Sequence, residues 1–157
     1  MTPAELITRK LKAAIESEGA TVPVISLLLE ALEGEKHEAP SSFIALDVHI
    51  SEQIEEPLPH YRFEASADVV AAIDDDKGGW LFKENHDAIW TVFDHLARGD
   101  NCTALGDEDD ELADGAAHVF AVDGFKLGAG NAPTFADDEN GGTWTTTFAA
   151  TITGRAT

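Results

Sequence analysis

The chain is 157 residues long, 43% apolar, with one cysteine and a formal charge of −20 from thirty acidic against ten basic side chains. That length suits one domain, residues 1–157, burying roughly 70% of the surface of its unfolded form, and a lone Cys102 leaves no internal disulfide framework. So acidic a field argues against a chain that grips nucleic acid, no apolar run approaches the ~18 residues of a membrane span, and Met1 to Lys10 has no signal-peptide pattern, so a soluble cytoplasmic chain is expected.

Thr2-Pro3-Ala4-Glu5 has the form of a capping box, with Thr2 as N-cap, Pro3 at the first helical position and Glu5 reaching back. The helix it opens carries Ala4, Ile7, Leu11, Ala14 and Ile15 on an apolar stripe, turns Arg9, Lys10, Lys12 and Glu16 to water, and ends at Gly19. From Thr21 to Leu32 an apolar run begins like a short strand around Pro23 and ends like a helix turn, and the pattern leaves its type open. Glu33 to Ser41, with Gly34 and Pro40, reads as loop.

Two half-buried strands follow. Ile44, Leu46, Val48 and Ile50 alternate with Ala45, Asp47 and His49, and Tyr61, Phe63, Ala65, Ala67, Val69, Ala71 and Ile73 alternate mostly with polar residues, so an antiparallel pair is expected. The connection from Ser51 to His60 contains Glu55-Glu56-Pro57-Leu58-Pro59, whose prolines stiffen it and keep it out of the ladder. After Asp74 to Gly79 the period changes: Ile89, Val92, Phe93 and Leu96 recur at helical spacing, with Asn85 as the expected N-cap and Gly99 as the stop. Gly115 to Asp123 alternates as a strand, Gly124 to Gly142 reads as a long connection with a turn at Asn140-Gly141, and Thr143 to Thr153 is a strand with Trp144, Thr146, Phe148, Ala150 and Ile152 on one side.

The order α-x-β-β-α-β-β gives an α+β fold class, an antiparallel sheet of about four strands with two helices packed on it. Ile89, Phe93, Trp144 and Phe148 are expected to be buried together, since the helix stripe and the last strand need a common apolar partner.

Motifs of chemistry fail on their spacing. Asp107, Asp109 and Glu111 alternate as in a calcium loop, but the sixth position is Leu112 where an EF-hand needs glycine. The acids at Asp74 to Asp76 and Asp137 to Glu139 read as solvated turns. His37, His49, His60, His86, His95 and His118 form no i, i+4 pair and no cluster with Cys102, so no zinc signature exists; His49 and His60 flank the hairpin connection at strand ends. Gly124, Gly128 and Gly130 precede another loop and lack the context of a phosphate cradle. No nucleophile, base and orienting group can be placed within reach of one another, so no catalytic site, metal or cofactor is expected.

An N-terminal helix at Thr2 to Gly19, a long hairpin of Ile44 to Ile50 and Tyr61 to Ile73, a helix through His86-Asp87-Ala88-Ile89-Trp90 to Leu96 and a last strand from Trp144 to Ile152 together resemble the tail terminator proteins of long-tailed bacteriophages. The resemblance implies a structural virion protein of the tail or neck, assembled in the host cytoplasm: a hexameric ring that caps the tail tube and joins it to the head, with the tail tube protein and the head–tail connector protein as partners. A head–tail adaptor or other neck ring component shares that logic, and a small acidic module that mimics nucleic acid is the alternative of another class. Pro57, Leu58, Pro59, Trp80, Phe82 and Phe135 are the apolar loop residues expected to anchor a neighbour. Asp107, Glu108, Asp109, Asp110, Glu111, Asp137, Asp138 and Glu139 are candidates for loops facing a lumen through which DNA passes without being tightly bound, although the outer rim is an equally simple location.

Overall fold

Alternating apolarity makes two long strands one-faced, and the rest of the chain is built on that face. In a computed structural model, which describes residues 2–34, 40–54, 59–75, 80–106, 120–138 and 141–156, the elements run α1 (Pro3–Ser17), β1 (Val24–Ile25), α2 (Leu27–Glu33), β2 (Phe43–Ile54), β3 (His60–Ala72), α3 (Leu81–Leu96), β4 (Phe120–Leu127), β5 (Asn131–Asp138) and β6 (Gly141–Ala156). Short 3-10 turns lie at Ile73–Asp75 and Asn101–Leu105. The described residues form an α+β fold, with helices packed on a six-stranded sheet of order β1-β2-β3-β6-β4 in which β5 also pairs with β6.

Phe63, Ala65, Ala67, Val69 and Ala71 of β3 are buried, as are Ile44, Leu46 and Val48 of β2, and the two strands pair antiparallel as their alternation implies. Ile50 is opposite Phe63 on the same face but is 44% exposed. Ile73 falls in the 3-10 turn beyond β3 and is exposed to the same degree. Leu6, Ile7, Leu11 and Ile15 of α1 and Ile89, Val92, Phe93 and Leu96 of α3 join these strand residues in one core.

Several elements differ from the expectation, each for a local reason. The ambiguous stretch from Thr21 to Leu32 is both a strand and a helix: β1 pairs parallel with β2, Ser26 caps α2 by accepting from the Leu29 N–H at 3.3 Å, and Gly34 ends it at φ +70°. The sheet is therefore mixed, because a two-residue edge strand entering from α1 lies alongside β2 without a hairpin. The expected long connection from Gly124 to Gly142 contains the end of β4 and all of β5. These two segments succeed each other along the same edge of β6, β4 against its C-terminal half and β5 against its N-terminal half. Gly141 opens β6 at φ +107°, while Asn140 of the expected turn lies outside the described residues. Gly115 to His118, at the start of the expected fourth strand, lie outside the described residues.

Thr2 caps α1 by accepting from the Glu5 N–H at 3.2 Å, while the Glu5 carboxylate accepts from Arg9 at 3.1 Å. Asn85 is not an N-cap. Helix α3 begins four residues earlier, after Trp80, and Asn85 is 1% exposed within it. Its carbonyl oxygen accepts from the N–H groups of Thr21 at 2.9 Å and Val22 at 3.4 Å, and its amide donates to Thr21 Oγ1 at 2.9 Å and Leu81 O at 2.7 Å. All four hydrogen-bonding positions of the carboxamide are filled, so one side chain ties α3 to the segment entering β1.

Phe93, fully buried, meets Phe125 edge-on at 5.5 Å between ring centroids and Phe148 at 6.1 Å. Phe93→Ala is expected to lose about 3–5 kcal/mol in urea unfolding; a midpoint within error of the parent would show that the α3 stripe does not bear on the core. Asn85→Leu keeps the branched outline of the side chain but strands the Thr21 and Val22 N–H groups, and a loss of about 1–3 kcal/mol is expected. An unchanged midpoint would show that water replaces the carboxamide.

Candidate assembly surfaces

Two of the expected anchor residues, Phe82 and Phe135, come together through Trp144. Phe135 and Trp144 are register partners on β5 and β6, with ring centroids 5.1 Å apart, and Phe82 in the first turn of α3 reaches Trp144 at 5.9 Å. From Phe82 the row continues one turn down the helix to His86 at 5.7 Å, then to Phe148 at 5.0 Å, whose ring lies 6.5 Å from Trp90. Phe82, His86 and Trp90 recur every four residues and so share the flank of α3 beside β6. Trp80, in the N-cap position of α3, is 61% exposed.

Trp144 corrects the expected core. It stands on the helix side of the sheet, opposite buried Ala71, but α3 begins at Leu81 and covers that end of β6 only through Phe82, leaving Trp144 38% exposed. Phe148, farther along the strand, is half-buried beneath the helix. The Phe135 ring lies over Gly142, where any Cβ would displace it. Trp90, His86 and Trp144 were absent from the residues expected at the surface, although the four-residue spacing of Phe82, His86 and Trp90 is visible in the sequence.

Charge frames the row. Asp87 pairs with Lys83 at 2.6 Å and with His86 at 3.1 Å, and the Lys83 hydrogen bond first, then His86, holds its carboxyl below the usual range. At the hairpin end Asp137 is exposed on β5, and the Asp74 carboxylate comes within 3.4 Å of where a Cβ on Gly141 would stand. Asp75 accepts from Ser41 and Ser42, which hold its carboxyl low and tie the turn after β3 to the start of β2.

A second apolar surface lies at the opposite edge of the sheet. There Pro23, Val24, Ile25, Leu29 and Pro40 line an open groove of about 370 Å³ flanked by Lys12, Glu30 and Glu33. Leu27 and Leu32 of α2 stand beside it, 78% and 51% exposed.

Of the remaining expected residues, Pro59 is half-buried at the base of the hairpin, its carbonyl accepting from the Ala156 N–H at 3.0 Å. Pro57, Leu58, Asp107 to Glu111 and Glu139 lie outside the described residues, and Asp138 is placed by its backbone alone, opposite Gly141. His49 lies opposite Glu64 and pairs with Asp47 at 2.9 Å, while His60 lies opposite Ile54, so the register puts them in different pairs. Cys102 is buried, and its thiol is pushed up by that burial, with Asp123 and Asp100 adding to the effect against a backbone hydrogen bond. Among the described residues no three His, Cys, Asp or Glu side chains converge as a metal site would require, and no helix is long and apolar enough to cross a membrane.

No family model matches this sequence, and no curated protein matches it. A solved structure whose name states no function aligns with 98% of this chain and 92% of its own at 13% identity, with a TM-score of 0.50. Another, described as "Virion of native gene transfer agent (GTA) particle", aligns over 93% of each chain at 10% identity, with a TM-score of 0.43. The first of these likenesses is one of fold.

Proposed function

We propose that this chain is a structural virion subunit that closes with copies of itself into a ring, six subunits by the resemblance drawn from its element order, capping the tail tube of a long-tailed phage and joining it to the head. The aromatic row carries the reading. Within it Trp90, Phe135 and Trp144 are exposed by 47%, 45% and 38%, and Trp80 in the N-cap position of α3 by 61%, in a chain of net charge −20. Aromatic side chains are the usual anchors of interface cores, and contiguous exposed apolar surface marks an association site. The protein's work is then packing and not catalysis. Its partners are the tail tube protein and the head–tail connector, and its location is the tail or neck of a virion assembled in the host cytoplasm. Acidic segments such as Asp107 to Glu111 and Asp137 to Glu139 would repel a passing duplex instead of gripping it.

The net charge favours a second reading, an acidic mimic that occupies a basic protein's nucleic-acid site. Light scattering on purified protein separates the two. The ring reading expects several times the 16.8 kDa monomer mass, alone or with tail tube protein present, and expects Trp80→Asp to fold but remain monomeric. Parent protein that is monomeric under both conditions and binds a basic protein in a strongly salt-dependent way would replace the ring by the mimic.

A further inference from the structure

At the N-terminal end of β6 the aromatic row combines exposed rings with carboxylates that no cation matches. Phe135 and Trp144 stand 5.1 Å apart between ring centroids with their planes at 53°, an open angle and not a stack. Asp137, two residues beyond Phe135, lies on the same face of β5 and is exposed. Asp74 approaches from the turn after β3: its carboxylate comes within 3.4 Å of where a Cβ on Gly141 would stand, and the next residue, Gly142, lies under the Phe135 ring. We propose that this end of the row receives an arginine side chain carried by a different protein, the guanidinium lying on the Phe135 and Trp144 rings and pairing with Asp137 and Asp74.

The chemistry of the surface selects that side chain. Aromatic faces attract a cation held within about 6 Å of the ring centroid. A planar guanidinium can stack on a ring while its N–H fork takes a carboxylate, which a neutral apolar anchor cannot do. Among the described residues neither Asp74 nor Asp137 has a cation partner, and from Leu127 to Gly154 the sequence holds no lysine or arginine. Lys83, in the first turn of α3, is held by Asp87 at 2.6 Å. An apolar partner without positive charge would leave the two carboxylates to lose water with nothing in exchange.

Charge also argues against a second copy of this chain as the occupant. Arg9, Lys12, Arg62, Lys83 and Arg98 are each paired with an acid of their own chain, and Lys126 shares an open depression with Glu64. A second copy brings the same net charge of −20, so its approach adds like charge to this end. A basic protein removes that repulsion and supplies the missing cation. The inference goes beyond the ring reading, since it assigns one end of the row to a protein of stated chemistry and holds for any number of copies.

The test titrates the full chain with two end-capped peptides, Leu-Arg-Leu and Leu-citrulline-Leu, the second keeping the shape of arginine without its charge. Binding is read from the indole N–H resonances by NMR, with the Trp144 signal assigned through Trp144→Phe. The arginine peptide is expected to shift the Trp144 resonance, and the citrulline peptide to bind about tenfold more weakly. Asp137→Asn and Phe135→Ser, both at exposed positions and with their fold checked by circular dichroism, should each weaken arginine binding severalfold. Equal affinity for the two peptides, arginine binding unchanged in both variants, or no Trp144 shift at about 5 mM arginine peptide overturns the proposal. A Trp144 shift on concentrating the chain without peptide gives the surface to a second copy and overturns it as well. The mass measurement that tests the ring is separate, so each reading can fail without the other.

Discussion

Thirteen residues of β3, His60 to Ala72, lie in unbroken register against β6, and the other packing choices depend on that pairing. The register puts Phe63, Ala65, Ala67, Val69 and Ala71 beside Ile152, Ala150, Phe148, Thr146 and Trp144 on one face, so a one-residue slip would turn one of the two sets to solvent. Helix α3 has its apolar stripe to lay down, and the surface available to it is the one these strands share. With β3 occupying one edge of β6, the opposite edge holds β4 and β5 in succession, which gives the last strand its sixteen-residue length.

The aromatic surface is a consequence of mismatched lengths. At about 1.5 Å per residue, sixteen residues of α3 extend roughly 24 Å, whereas sixteen residues of β6 extend roughly 50 Å at about 3.3 Å each. The sheet outruns its helical cover, and the residues left at the uncovered end, Trp144 and Phe135, are large and apolar where water would favour threonine. On the opposite face, which the core does not use, β6 does carry threonines, and Thr151 and Thr153 donate to Glu64 and Asp123. The contrast between the faces separates a surface that only needs solvation from one whose composition suits a partner.

The charge of −20 constrains how any assembly is built. Carboxylates on two copies repel each other and resist desolvation, so a stable contact has to be apolar at its centre and bring what positive charge there is to its rim. The aromatic row and the α2 groove meet the first condition, while the α1 cations Arg9 and Lys12 are already matched by Glu5, Glu33 and Glu16. The described pairs Lys83–Asp87 and Arg98–Asp94 are exposed i, i+4 contacts, which steady helix surfaces and contribute little beyond that.

Local signals in the sequence determined the elements whose cause is local. Thr2 and Pro3 open α1, alternation marks β2, β3 and β6, and the spacing of Ile89, Val92, Phe93 and Leu96 marks the buried stripe of α3. The expected anchors Phe82 and Phe135 were legible as apolar residues in polar surroundings, and they do meet through Trp144. Only the tertiary structure decided the parallel pairing of β1, the capture of β5 by the free edge of β6, the use of Asn85 as a clamp on Thr21 and the exposure of Trp144. Periodicity states which face a side chain takes, but whether that face is covered, or a polar group finds its partner 64 residues away, depends on elements that the local pattern does not contain.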